Sequence, residues 1–295
     1  MEPVEVLLLG LSIAIFGFVI FSLVKQYRYA TQIFDMVRLY PFLIVASYLI
    51  AVYATWNWFE FLVAMWLRFI GFLIILPLIP YSMIWWSDYS FARFKELLEG
   101  LKSEAFSIIS LDDYVEGHID PERVNVCLRH DVDISLSRTV KMSEIEKKYG
   151  IHSTYFFRLH AEKYSFEEAR PIVAHLAESG FRIGLHYETL SVAKGNKQEA
   201  IELLKSDIEK LREIAPVSAV AAHGQKHYKN RTIWDSVDKI ALKVSSAYDM
   251  KYDMYLSDAG GKRLSRLGSN YLFDRIYEAK PGQIVQVLIH PDWWN

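Results

Sequence analysis

Two long apolar stretches near the start of this chain constrain its fold most, because a backbone placed in such surroundings must satisfy its polar groups internally. Val4 to Val24 carries Glu5 as its only charge. At about twenty residues it is long enough for a helix to cross a ~30 Å hydrocarbon layer. It is too long, and lacks the basic start and small-residue cleavage site, to read as a removed signal peptide. From Tyr40 to Trp86 the only charges are Glu60 and Arg68. That stretch exceeds one span, and a helical hairpin turning near Thr55-Trp-Asn-Trp-Phe59 fits it, with further tryptophans at Trp85 and Trp86 where interfacial aromatics belong. The expectation is an all-α membrane region of three transmembrane helices over 1–86. An unusually apolar soluble core is the competing reading.

Lys25, Arg28 and Arg38 lie in the first connection, and Arg93, Lys95 and Lys102 follow the third span. The positive-inside rule then places the 25–39 loop and everything after residue 87 in the cytoplasm, with the amino terminus outside. The formal net charge of −2 gives no case for nucleic acid as a partner. A single cysteine, Cys127, excludes an intramolecular disulfide and reads as a small core residue. Asn230-Arg-Thr232 matches the glycosylation triplet, but a cytoplasmic site is out of reach of that chemistry.

Ser87 to Ser103 places Phe91, Phe94, Leu97, Leu98 and Leu101 at helical spacing, which predicts an amphipathic connector over 87–104 lying against the membrane or the domain. Beyond it, strands and helices alternate. Strands are expected at 124–128, 153–159, 181–185 and 217–222. Helices are expected at 136–148, 167–179, 197–214 and 232–237, with Gly150, Gly180 or Pro216 at their ends, and short apolar runs follow near 242–248, 254–256 and 284–289. This alternation predicts a mainly parallel α/β domain over 105–295.

Leu128-Arg-His-Asp-Val-Asp133 sets two carboxylates one residue apart at the end of an apolar run. Alternate side chains of a strand share a face, so Asp131 and Asp133 converge. Mutual repulsion makes such a pair costly unless a cation or a shared proton lies between them, which points to a metal site or an acid/base site. An imidazole ends each of three later strands, as His186, His223 and His290. Polar groups at strand ends of one α/β domain gather at the C-terminal mouth of its barrel or sheet.

These motifs resemble those of the NodB-homology polysaccharide deacetylases, carbohydrate esterase family four. Arg-His-Asp-Val-Asp looks like that family's first motif. Tyr149-Gly-Ile-His-Ser-Thr-Tyr-Phe-Phe157 is similar to its second strand, Ser179-Gly-Phe-Arg-Ile-Gly-Leu-His186 to its histidine motif, and Leu288-Ile-His290 to its closing motif, over about Val124 to Pro291. The resemblance implies a distorted (β/α) barrel of the polysaccharide deacetylase type and metal-assisted hydrolysis of an N-acyl group, N-acetyl being the expected one, on an amino sugar. It further implies that Asp131 is the general base, that Asp133 and His186 bind a divalent metal, expected to be Zn, and that His290 is the general acid.

Two departures accompany the resemblance. The family's second histidine, four residues after the first, is here Leu190, and its Arg-Pro-Pro-Tyr-type motif is replaced by Ala222-His-Gly224. His223 is the favoured substitute ligand and Glu188 the fallback. His227 stands four residues from His223, but Gly224 makes a loop the better reading. Duller readings stand beside these. Asp131 and Asp133 suit a turn or helix cap, and His186 and His223 suit hydrogen-bonded core positions. Arg129 steadies Asp131, binds substrate or is a plain surface residue. Asp258, in Leu256-Ser-Asp-Ala-Gly-Gly261, is a site residue or ordinary turn chemistry. Pro291-Asp-Trp-Trp294 offers aromatic faces for a sugar or simply packs, and His118, His152, His160 and His175 read as structural.

Three spans suggest a substrate that is itself in the membrane, such as a lipid-linked amino sugar. The alternative is a catalytically degenerate glycan-binding or membrane scaffold protein, motivated by Leu190.

Overall fold

The computed structural model describes residues 88–258 and 272–295. The expected membrane spans lie outside the described residues. Among the described residues no helix is long and apolar enough to cross a membrane.

Among the described residues eight strands form one sheet, and every pairing is parallel. They are β1 (Phe106–Ile109), β2 (Val124–Val132), β3 (Thr154–Phe157), β4 (Arg182–Tyr187), β5 (Val217–Ala222), β6 (Ser245–Ser246), β7 (Met254–Ser257) and β8 (Ile284–Ile289). The order is β6-β5-β4-β3-β2-β8-β7. β8 runs along one edge of β2, so β1 and β3 share the other, β1 beside Val124 to Cys127 and β3 beside Arg129 to Val132.

The sheet is curled. Gln286 of β8 donates from Nε2 to the carbonyl of Ala247, just past β6, over 3.2 Å. In a flat sheet five strand spacings, about 24 Å, would separate those strands. On the inside the small Cys127, Ala219, Ala221 and Ala247 leave room for the curl and cluster with Phe156 and Met250. No pairing joins β6 to β7 among the described residues, so the curled sheet is open on that side.

The other face carries the main core. Tyr155, Phe157, Ile183, Leu185, Tyr187 and Val220 pack against Val173 and Leu176 of the helix Phe166–Glu178 and against Leu204, Ile208 and Leu211 of the helix Lys197–Arg212. Local chemistry sets the helix ends. Ser135, Ser165 and Asn196 accept backbone N–H bonds at the N-termini. Gly150, at φ 69°, takes the left-handed turn that ends the helix Leu136–Tyr149. The connector helix Phe91–Leu101 buries its apolar face, with the Phe94 ring 5.5 Å from that of Trp294.

Several expectations need correction. β2 does not stop at Leu128 but continues to Val132 with every residue buried, because its polar side chains find partners: Arg129 meets Asp131, and His130 meets Glu146 at 2.8 Å on the helix behind the sheet. The 232–237 helix is a 3-10 segment, Asn230–Ser236. β1 and the short helix Leu111–Val115 lie outside the expected elements, since four or five residues carry too little periodicity to register.

Candidate metal and acid-base site

Strand alternation turns Arg129 and Asp131 of β2, His186 of β4 and Gln286 of β8 to the concave side, and the chain carries Asp133, His223 and His290 just beyond the ends of β2, β5 and β8. Asp133, His186 and His223 each place one ligand atom within 4.8 Å of the others. Asp133 Oδ1 lies 3.4 Å from His186 Nε2 and 3.7 Å from His223 Nε2. Asp131 Oδ2 is 3.6 Å from His186 Nε2, and Asp133 Oδ2 is 4.0 Å from His290 Nε2. Asp131 and His186 side chains are only 4% and 2% exposed, whereas Asp133, His223 and His290 are 18%, 16% and 13% exposed. The cluster therefore has a buried floor and a mouth that small molecules can reach.

The histidine orientation shows what the cluster suits. His186 Nδ1 lies 3.1 Å from the Ala221 carbonyl, which only accepts, so Nδ1 carries the proton. Its Nε2 then faces two carboxylates, where it can either donate a second proton to them or ligate a cation that neutralises them. Asp133 Oδ1, which faces both imidazoles, is buried without a hydrogen-bond partner, and native proteins leave few such atoms unanswered. Bonds of ~2.1 Å at tetrahedral angles put ligand atoms about 3.4 Å apart. The observed separations of 3.4 and 3.7 Å match that edge, so this donor set fits a Zn-like divalent ion.

Neighbouring groups set the charges. Burial pushes the Asp131 carboxyl up, but Arg129, whose Nη2 donates to Oδ2 at 2.8 Å, and then His186 outweigh it and hold the group below the usual carboxylate range. Asp133 is likewise lowered, burial being overcome by the His186, His223 and His290 imidazoles. His290 behaves oppositely. Its Nδ1 stands 2.5 Å from Asp258 Oδ1 and its backbone N–H donates to Oδ2 at 2.6 Å. Burial pushes this imidazole down, but the Asp258 charge and hydrogen bond prevail and its pKa is pushed up to about 10.

Most sequence-derived candidates thus meet: Asp131, Asp133, His186, His223 and His290 stand in one cluster, Arg129 braces Asp131, and Asp258 orients His290. Others do not. His227 is exposed in the loop after β5 and is no member of the cluster. Glu188 does not stand in as ligand, because both its oxygens are held by Arg158. Leu190 is buried in the helix-packed core. Trp293 and Trp294 are buried as well, Trp294 against Tyr89 and Phe94, so they offer no aromatic face to a sugar.

Sequence reasoning missed Asp292 and Arg158. Asp292 accepts from the backbone N–H groups of Asp133 at 3.2 Å and Ser135 at 2.5 Å, which fixes the turn presenting Asp133. Arg158 directly follows β3, which ends at Phe157 and not at the expected residue 159, so the signal of a polar residue after an apolar strand is hidden inside the expected strand.

A scan against protein-family models finds no match, and no curated protein matches at a significant level. Solved structures do. A CE4 esterase from Streptococcus mutans is 16% identical, with a TM-score of 0.43 over 61% of this chain and 78% of that one. The peptidoglycan deacetylase PdaC from Bacillus subtilis is 17% identical, with a TM-score of 0.41 over 59% and 77%. A CE4 family pseudoenzyme from Bacillus anthracis is 16% identical, with a TM-score of 0.40, and the match spans 58% of this chain and only 56% of that one.

Proposed function

We propose that this chain is a metal-dependent hydrolase that removes an N-acyl group, N-acetyl in the simplest case, from an amino sugar. The observation that carries the reading is that Asp133, His186 and His223 each place a ligand atom within 4.8 Å of the others, with Asp131 and the His290–Asp258 pair beside them. Asp133, His186 and His223 would hold a divalent ion, Zn being the best fit to two imidazoles and one carboxylate. Such an ion acidifies water and polarises an acyl oxygen.

The remaining steps belong to side chains. Asp131 stays ionised beside Arg129 and accepts the proton of the attacking water through Oδ1. His290, protonated and oriented through Nδ1, donates from Nε2 to the departing amine nitrogen. The amino sugar as substrate follows from the motif resemblance. The apolar region over 1–86 supports a membrane position with the catalytic domain on the cytoplasmic side, and with it a lipid-linked substrate.

Purified full-length protein loaded with Zn and supplied with an N-acetylated lipid-linked sugar should release acetate, and Asp131→Asn should abolish the release. Unchanged release from that variant refutes Asp131 as the base. A glycan-binding scaffold would retain the sugar and release no acetate.

A further inference from the structure

We propose that Arg158 and Glu188 form a buried clamp that positions His223 for the metal, so that Glu188 sets metal affinity without touching the ion. This deepens the reading above and rests on it.

Glu188 and Arg158 are each 3% exposed. Burying such a pair brings a desolvation cost that its mutual attraction does not reliably offset, so stability alone is a weak reason for its presence. Glu188 stands at the start of the short helix Thr189–Val192 yet makes no capping bond with its side chain. Arg158 uses its fork instead. Nε donates to Glu188 Oε1 at 2.8 Å and Nη2 donates to Oε2. Nη1 reaches the Asp133 carbonyl at 3.4 Å, and the Arg158 backbone N–H donates at 3.1 Å to Tyr164, whose hydroxyl donates to the Val132 carbonyl at 2.8 Å. The end of β2, carrying Asp133, is thereby tied to the ends of β3 and β4.

His223 supplies the other half. Its Nδ1 is buried without a hydrogen-bond partner and lies 3.5 Å from Glu188 Oε2. Among the described residues no other carboxylate comes within 4.0 Å of that atom. A carboxylate facing Nδ1 favours the tautomer with the proton there, which leaves the lone pair on Nε2, the atom 3.7 Å from Asp133 Oδ1. A backbone carbonyl does this for His186; His223 depends on a side chain held by another side chain. The fork also keeps Glu188 from swinging toward the ion, and Arg129 and Arg158 neutralise Asp131 and Glu188, leaving Asp133 as the ligand carboxylate without its own arginine.

The test is Zn affinity of full-length protein by competition with a coloured chelator, with melting of the metal-free proteins as the folding control. Glu188→Gln should weaken Zn binding about 10- to 100-fold and change the visible spectrum of the Co(II)-substituted protein, both measured well below the melting temperature of the metal-free variant, which should fall because Arg158 loses a buried charge partner. Arg158→Lys, which keeps the charge and loses the fork, should weaken Zn in the same direction. Wild type that binds Zn with an equally tight Glu188→Gln overturns the clamp alone; wild type that binds no Zn overturns the proposed function as well. Should Glu188→Gln fail to fold, ring-nitrogen NMR of Zn-loaded wild type decides. Protonated Nδ1 with coordinated Nε2 on His223 supports the clamp, and the reverse overturns it.

Discussion

Gly184→Ala is a small change with a calculable reach. Gly184 lies on the concave face of β4, two residues before His186, between Phe156 on β3 and Ala219 on β5. A Cβ there would meet Phe156 Cδ1 and Cε1 at 2.5 Å and the Ala219 carbonyl oxygen at 3.0 Å. Carbon atoms in contact prefer about 3.5–4.0 Å, so something must move by roughly 1 Å. Phe156 is 1% exposed and its ring centroid lies 5.4 Å from the Arg129 guanidinium, which holds Asp131, while β5 leads to His223. Either relief disturbs the site. Overpacking of this kind costs about 1–3 kcal/mol, and ~2 kcal/mol is about 30-fold in the folded-to-unfolded ratio. Urea unfolding of full-length Gly184→Ala should show that loss together with weakened Zn binding, and adding Phe156→Leu should recover part of it, because contacting residues couple. A single variant with wild-type midpoint and affinity would show that the concave face is not close-packed, and the reasoning fails.

Arg129→Leu leaves the Asp131 carboxylate buried and unpaired and should destabilise the protein by about 3–5 kcal/mol; in a double-mutant cycle, adding Asp131→Asn should restore much of it, and purely additive losses would count against the pair. His160 has its pKa raised by the hydrogen bond to Asp207, with burial opposing. Its contribution is therefore complete below the unfolded value of ~6.5 and fades as pH rises through the higher folded value, so wild type should lose stability relative to His160→Gln above about pH 6.5, and parallel stability-pH curves would refute this. Free Zn at about 100 times its Kd should add ~2.7 kcal/mol of stability, read as a rise in Tm that EDTA reverses, and no rise speaks against a folded-state site. In isolated membranes the protein should resist carbonate extraction with residues after 87 cut by protease only from the cytoplasmic side; release by carbonate or cleavage from the opposite side would contradict the proposed topology.

The sequence by itself disclosed the alternation of strands and helices, and the polar residues that end apolar strands, because both are local patterns that chemistry imposes on neighbours in the chain. Gly150 and Gly180 take left-handed backbone at the ends of their helices in the structure, as their residue type permits. From the same logic Asp131, Asp133, His186 and His290 could be picked out before any geometry. What the tertiary structure alone decided is which polar groups meet. Glu146 behind the sheet accounts for the burial of His130 and Asp292 fixes the turn of Asp133, while Arg158 claims Glu188 and His223 comes to stand beside Asp133 and His186; each pair joins residues far apart in sequence, and no periodicity encodes a partner on another element. Curvature has the same origin. It comes from small residues on one face of several strands acting together, and only when the sheet curls round Ala219, Ala221 and Ala247 do the strand ends come together.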